Sequence, residues 1–473
     1  MLRPWNLNLK IEEKYFQLPI YKQIVETIID AIHSGKLKQG NVLPGTRKLA
    51  DMLKVNRNTV IEAYTQLEYE GWVMSKPRTG TFVSSHTPEN RKVTPSPDFG
   101  RMRASVNKIV FDQGLPDISF SPMADIMREY KLVMKSIRKH KIHIFNDPAG
   151  YIKLRMALSQ MLNHQRRIIG DENNICITRD GQMAFFLISQ CLLESGDCVI
   201  VEHPGYRSAW DTFEHAGATV LYASIDTEGI IIDEVQKFIN AGKKIKAVFI
   251  TPNSQFPTTA VLSESRRRAL IDLSNKFNFY VIEYDYCIDI NYSENRLLPL
   301  CSDERLKNYI YIGSFSASVS PFLNIGYVAG DQEMIKKINA LKNIIDVNGD
   351  PIMERAFFNL IDDGTYTKHL KKSVPFYKYK RDFFEELLNK YLKDKITFIK
   401  PELGLSYWIT LVEPLRESYN SYLKEEIIAK GIKPVLMGSD YYNFDEGEGF
   451  LVSFGSVSEK NMEEAVRIMS GFF

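Results

Sequence analysis

The sequence predicts an α/β protein with a small helical unit ahead of its main body. Its 473 residues exceed what one ordinary hydrophobic core holds, so two or three folded units are expected. Before about residue 70, apolar residues recur at helical spacing, whereas beyond Ile109 short apolar runs alternate with helical patterns. This alternation implies that the larger unit has a mostly parallel sheet covered by helices.

The first unit is predicted over residues 18–85. Apolar residues within 20–32 mark one helix, a second helix follows Pro44, and a third begins after Asn56, a residue type that caps helix N-termini well. Two short strands then flank a turn at residues 76–80, which is rich in residues that break helices and strands. Three helices followed by a hairpin make a winged helix-turn-helix.

A linker is predicted over residues 86–108, which contain three prolines, mixed charges and little periodicity. The body follows as residues 109–473. From about residue 368 its pattern changes to one helix and several strands. This change predicts a smaller C-terminal α+β subdomain.

The composition is that of a globular protein, with 44% hydrophobic and 25% charged residues. No apolar run approaches the length needed to cross a bilayer, and the first residues lack the apolar core of a signal peptide. We therefore expect a cytoplasmic protein without membrane contact. The five cysteines show no metal-site spacing, so no bound metal is expected.

Charge is distributed unevenly along the chain. Residues 1–105 carry 16 lysines and arginines against 10 acidic residues, whereas the remainder carries 44 against 48. A basic N-terminal unit favours a nucleic-acid partner for that part of the chain.

Three segments of the first unit resemble the GntR-type winged helix in order and spacing: Leu43–Ala50, Val55–Val60 and Arg78–Val83. The resemblance implies sequence-specific binding of duplex DNA, with the third helix in the major groove. One departure is Gly45, where the family usually has a serine that caps the second helix. The residues expected at the DNA are Thr46, Arg47, Lys48, Arg57, Asn58, Thr59, Lys76, Arg78, Thr79 and Gly80.

Elementary chemistry agrees with that placement. Arg57 and Asn58 lie in the first turn of the third helix, where free N–H groups and the helix dipole favour phosphate. Arginine can also bond guanine bidentately, and asparagine can bond adenine. For any one of these residues, an ordinary surface position or a phosphate contact is the alternative to base recognition.

Four segments of the body resemble landmarks of fold-type-I, pyridoxal-phosphate-dependent aminotransferases: residues 147–151, 178–183, 202–206 and 251–258. A GntR-type head on such a body is typical of the MocR subfamily of bacterial regulators. The resemblance implies that pyridoxal 5′-phosphate is the family cofactor and that the protein forms a homodimer. It also implies an effector-sensing body, although it does not identify the small molecule.

The resemblance assigns several residues to a vestigial cofactor site. Tyr206 would stack on the pyridine ring, and Tyr286 would bond the ring hydroxyl. The other residues expected there are Gly181, Gln182, Asp285, Ser314 and Ser316. Ordinary packing of tyrosines and turn serines is the alternative.

Four positions depart from the family's chemistry. Ala317 occupies the position of the Schiff-base lysine, and Tyr284 occupies that of the aspartate that pairs with the pyridine nitrogen. Asn324 and Ser456 stand at positions where the resemblance implies arginines. We therefore predict no covalent cofactor and no transamination. Two alternatives stay open: a working aminotransferase with an added head, and a regulator that binds pyridoxal phosphate noncovalently.

Overall fold

The computed structural model describes residues 18–76, 79–85, 109–140, 147–294, 297–347, 349–412, 426–427, 429–433, 435–436 and 449–472. The chain divides into two compact units, Met1–Ala104 and Ser105–Phe473. The predicted linker 86–108 lies outside the described residues, as does Arg78.

The N-terminal unit consists of three helices and a hairpin. Its elements are α1 (Ile20–His33), α2 (Thr46–Leu53), α3 (Arg57–Tyr69), β1 (Val73–Lys76) and β2 (Gly80–Val83). The two strands are antiparallel, and α3 packs against both α1 and α2. At the centre, the buried hydroxyl of Tyr64 donates a hydrogen bond of 2.7 Å to the carbonyl of Pro44. The predicted winged helix-turn-helix is confirmed.

The strands and helices of the second unit follow one another in the order that the alternating pattern predicts. The strands are β3 (Ile109–Val110), β4 (Ile175–Thr178), β5 (Cys198–His203), β6 (Thr219–Asp226), β7 (Gly229–Ile230), β8 (Ile245–Ile250), β9 (Tyr280–Asp285), β10 (Tyr309–Ser314), β11 (Gly326–Gly330), β12 (Ile396–Phe398), β13 (Ser406–Leu411), β14 (Ile432–Lys433), β15 (Val435–Leu436) and β16 (Phe450–Ser453). The helices are α4 (Met123–His140), α5 (Ile152–Met161), α6 (Asp180–Leu192), α7 (Arg207–His215), α8 (Ile232–Asn240), α9 (Glu264–Phe277), α10 (Gln332–Ile345), α11 (Pro351–Asp362), α12 (Thr365–Leu392) and α13 (Glu459–Ser470).

An eight-stranded sheet forms the centre of this unit, in the order β4-β11-β10-β9-β8-β5-β6-β7. The five strands from β10 to β6 run parallel to one another, whereas β11 and β7, which flank them, run antiparallel to them. Strands such as β5 and β9 are almost wholly buried because apolar clusters cover both faces of the sheet. The predicted α/β class is therefore confirmed.

A second sheet, β12-β13-β16-β15, is antiparallel throughout and packs with α12 and α13 around its own apolar core. The first strand of the unit contributes to this region, because β3 pairs in parallel with β14. Among the helices of the described residues, none has both the length and the apolar character required to cross a bilayer.

Candidate functional site

The exposed face of the N-terminal unit is built from the beginnings of α2 and α3. Asn56 caps α3 by accepting a hydrogen bond of 2.9 Å from the backbone N–H of Asn58. Arg57 and Asn58 are exposed, and Arg57 Nε lies 3.5 Å from Thr46 Oγ1 at the start of α2. Both helix N-termini therefore present donors and positive charge on one surface.

The remaining predicted DNA-contacting residues surround this surface or form the hairpin. Arg47 and Lys48 are exposed in the first turn of α2, and Thr59 is half-buried in α3. At the hairpin, the N–H of Thr79 donates to the carbonyl of Lys76 at 3.1 Å. Gly80 has a φ of 120°, which a glycine adopts at least cost.

In the second unit, Gly181, Tyr206, Tyr284 and Tyr286 come together at the carboxyl end of β9. The ring centroid of Tyr284 lies 5.4 Å from that of Tyr206 and 5.7 Å from that of Tyr286. The ring of Phe185 packs edge-on against Tyr284, with 5.0 Å between the centroids. A Cβ placed on Gly181 would lie only 2.8 Å from Tyr284 Oη. The Tyr284 phenol thus fills the space over the start of α6.

Tyr284 is uncharged in this position. Its side chain is buried, and this burial raises the pKa of the phenol well above its ordinary value. A protonated phenol can share a hydrogen bond, but it cannot supply the negative charge of the aspartate that the family places here.

Ser314 and Ser316 meet a carboxylate that sequence reasoning did not select. The hydroxyls of both serines donate to Asp180, that of Ser316 at 2.8 Å to Oδ2. Asp180 is the first residue of α6 and has a left-handed φ of 65°. The only sequence signal was an acidic residue at a helix start, inside the segment 178–183.

Asp285 does not join this group, because alternation along β9 directs it to the other face of the sheet. Its carboxylate accepts hydrogen bonds from Asn253 Nδ2 at 3.1 Å and from the Tyr311 hydroxyl at 3.1 Å. Arg166, which is also buried, donates to that hydroxyl at 2.8 Å and is paired with Asp289. Burial raises the pKa of the Asp285 carboxyl even though Arg166 is nearby.

The other predicted residues lie at the edge of the group or outside it. Ala317 is buried in a small apolar cluster with Cys287, against which Tyr286 packs. Gln182 is exposed, and its Nε2 donates to the carbonyl of Ser208 at 3.3 Å. Asn324 is also exposed, as is Ser456, whose hydroxyl donates to Asp112. Within the described part of the chain, no group of three or more His, Cys, Asp or Glu residues could hold a metal ion.

Family comparisons agree with this two-unit architecture. Residues 106–468 match the family model for class I and II aminotransferases. The chain belongs to this family. Residues 20–83 match the model for bacterial regulatory proteins of the gntR family, so an aminotransferase-family body here follows a GntR-type head.

Two curated relatives that match nearly the whole chain carry the names of regulators. The chain is 26% identical over 479 residues to the uncharacterized HTH-type transcriptional regulator YdfD of Bacillus subtilis (strain 168), covering 96% of each chain. It is 21% identical over 480 residues to the probable rhizopine catabolism regulatory protein MocR of Rhizobium meliloti, covering 96% of this chain and 94% of that one. The predicted resemblance to the MocR subfamily is confirmed.

Among solved structures, the body is similar to a kynurenine aminotransferase of Pyrococcus horikoshii. The match has a TM-score of 0.70 and 26% identity, and it covers 77% of this chain and 90% of that one. The body therefore shares the fold of this aminotransferase.

The described residues do not fit pyridoxal phosphate, the cofactor of this aminotransferase family. The hydroxyls of Ser314 and Ser316, which the resemblance assigns to the phosphate, are bonded to Asp180. Tyr284 fills the space over Gly181, and the side chain of Ala317 carries no nucleophile. Both the expected phosphate site and the Schiff-base position thus lack what the cofactor requires.

Proposed function

We propose that this protein is a sequence-specific DNA-binding regulator whose aminotransferase-family body dimerises and senses an effector without catalysing transamination. The observation that carries the proposal is the exposed N-terminus of α3, with Arg57 and Asn58 at the surface of a GntR-type head. The regulators that share both units support it. Such a protein acts where the chromosome is, in the bacterial cytoplasm. In this proposal the head comprises residues 18–85 and the body comprises residues 109–473.

DNA binding is tested by replacing single arginines of the head. Arg57→Ala should weaken specific binding by about 1–3 kcal/mol if Arg57 contacts a base, and by less if it contacts only phosphate. Lys36→Ala, which removes an exposed charge just beyond α1, is the matched control. Fluorescence anisotropy at fixed salt measures the change. Unchanged binding by both Arg57→Ala and Arg47→Ala would overturn the assignment.

The loss of catalysis rests on Ala317 and Tyr284. An alanine methyl cannot attack the cofactor aldehyde, and a protonated phenol cannot hold the pyridine nitrogen in its charged form. Borohydride reduction in the presence of pyridoxal phosphate, followed by mass spectrometry, tests the proposal. A site-specific reduced adduct on a lysine of the native protein would show that another residue forms the Schiff base.

Dimerisation through the body is supported by exposed apolar side chains. Met127, Leu132 and Met134 of α4 are each about half exposed, and so are Ile152 and Met156 of α5. Burying such side chains against a second copy would release their hydration water. We therefore propose that exposed apolar side chains of α4 and α5 take part in the dimer interface.

An open cleft of about 500 Å³ gives the effector a place to bind. It is lined by Pro204 and Thr258, in the segments that follow β5 and β8, and by Trp408 and Thr410 of strand β13. Its size is ordinary for a small-molecule site. A thermal-stabilisation screen with vitamin B6 forms, amino acids and related metabolites tests this proposal. Thr410→Trp should abolish any stabilisation that Thr410→Ser retains.

A further inference from the structure

We propose that Asp180 is a built-in occupant of the anion cup of this fold, and that it makes the pocket reject phosphate esters. The start of α6, together with Ser314 and Ser316, forms this anion cup. The inference rests on the contacts of Asp180 and not on the proposed regulatory function.

The contacts of Asp180 are those that a bound anion would make. Its two carboxylate oxygens accept from two different hydroxyls, Ser314 to Oδ1 and Ser316 to Oδ2. The backbone N–H of Ser316 donates to Ser314 Oγ at 3.1 Å, which orients the first hydroxyl toward the carboxylate. Both hydroxyl protons of the cup are therefore already used.

The position of the carboxylate matters as much as its bonds. The N-terminus of a helix attracts negative charge, and in α6 the first residue supplies that charge itself. A phosphate ester brought to the same place would meet an anion of the same sign. It would also find no free hydroxyl on Ser314 or Ser316.

The cation that directly precedes Asp180 in the chain is engaged elsewhere. Arg179 directly precedes Asp180, but its guanidinium pairs with Asp346 at 3.1 Å and donates to the carbonyl of Gly349. Asn324, at the position where the resemblance expects an arginine, is uncharged and exposed. Neither residue compensates a second negative charge in the cup.

The backbone at Asp180 is strained and closely packed against the neighbouring strand. Its φ of 65° is left-handed, a conformation that non-glycine residues adopt at a cost. A Cβ on Gly326 would lie 2.9 Å from the Cα of Asp180, so the neighbouring strand approaches the aspartate closely. Tyr284 closes the adjoining space over Gly181. Charge, hydrogen bonding and shape therefore exclude phosphate together.

Binding of two probes to the full-length protein tests the proposal. Pyridoxine 5′-phosphate and pyridoxine differ only in the phosphate, and neither has an aldehyde that could react with a lysine. We expect the wild-type protein to bind the phosphorylated probe no more tightly than pyridoxine. In Asp180→Ser, which supplies a hydroxyl and removes the charge, we expect the preference to rise roughly tenfold or more. Isothermal titration calorimetry at constant ionic strength measures both.

Two further variants complete the design. Asp180→Asn keeps the size of the side chain and removes only its charge, so it should gain a smaller preference for the phosphorylated probe even if Asp180→Ser does not fold. Asp331→Asn removes a carboxylate that caps the N-terminus of α10, and it should gain none. A phosphate preference of tenfold in the wild-type protein would overturn the proposal, as would folded Asp180 variants that gain nothing. Anisotropy with operator DNA tests the regulatory function separately.

Discussion

Tyr284 shows how one side chain changes the character of a pocket without disturbing the fold. It occupies an inward position on β9, packs edge-on against Phe185 and covers Gly181. An aspartate there would be far smaller and charged, and it would leave this space open. The tyrosine therefore stabilises the pocket through aromatic packing where the family uses a charge.

The first residue-scale prediction concerns Ala317. Ala317→Lys alone should not produce a visible absorbance band with pyridoxal phosphate, because Asp180 and Tyr284 still occupy the cofactor's place. The combination of Ala317→Lys, Tyr284→Asp and Asn324→Arg restores the family's charges, and adding Asp180→Ser should be required for the band to appear. A visible band in the single variant would contradict this account.

The second residue-scale prediction concerns pH. Burial raises the pKa of Glu202 to about 7, while the hydrogen bonds that it accepts from Thr251 offset part of the rise. Between roughly pH 4 and 7 the folded state therefore keeps a proton that the unfolded chain releases. Stability should consequently fall as the pH rises through this window, by roughly 2–3 kcal/mol from this group.

Glu202→Gln tests that sign, because the amide stays neutral at every pH. In urea unfolding at pH 5 and pH 8, the variant should lose less stability on going to pH 8 than the wild-type protein loses. Burial also raises the pKa of Glu283 to about 7, so the slope should shrink without vanishing. Exposed Glu214→Gln is the control and should leave the slope unchanged.

At the scale of elements, the two N-termini of the helix-turn-helix are capped unequally. Asn56 caps α3 with its side chain, whereas Gly45 at the start of α2 offers none. Asn56→Ala should destabilise the head by about 1 kcal/mol. Gly45→Ser should stabilise it by a few tenths of a kcal/mol, since a Cβ there meets nothing within 4 Å. Thermal unfolding of the full-length protein measures both changes, and a shift of the same sign in the two variants would contradict the difference in capping.

Elements with a strong periodic pattern could be predicted, whereas side-chain direction at the site could not. Asn56 marks the start of α3 because capping is a local interaction. Asp285 was assigned to the cofactor site, yet strand alternation points it to Asn253 and away from Tyr284. The role of Asp180 could not be predicted, because its partners, Ser314 and Ser316, lie more than 130 residues later in the chain. Such contacts depend on the tertiary fold, which a local pattern does not encode.

At the scale of the whole molecule, the full-length protein should sediment as a dimer. Leu132→Arg places a charge on the exposed apolar surface of α4 and should shift the equilibrium toward monomer at micromolar concentration. Tyr379→Arg, on the exposed surface of α12, is the matched control. If the two variants sediment alike, α4 does not form the interface.

The pairing of β3 with β14 has a consequence for synthesis on the ribosome. Ile109 pairs with Ile432, so this pair of strands cannot form until more than 300 further residues have been made. The apolar core of the head, by contrast, is formed by residues that all lie within 21–83. At 5–20 residues per second, the gap is on the order of 20–70 s. During that interval we expect the nascent chain to carry a folded N-terminal unit, while its body still exposes apolar surface of the kind that chaperones bind.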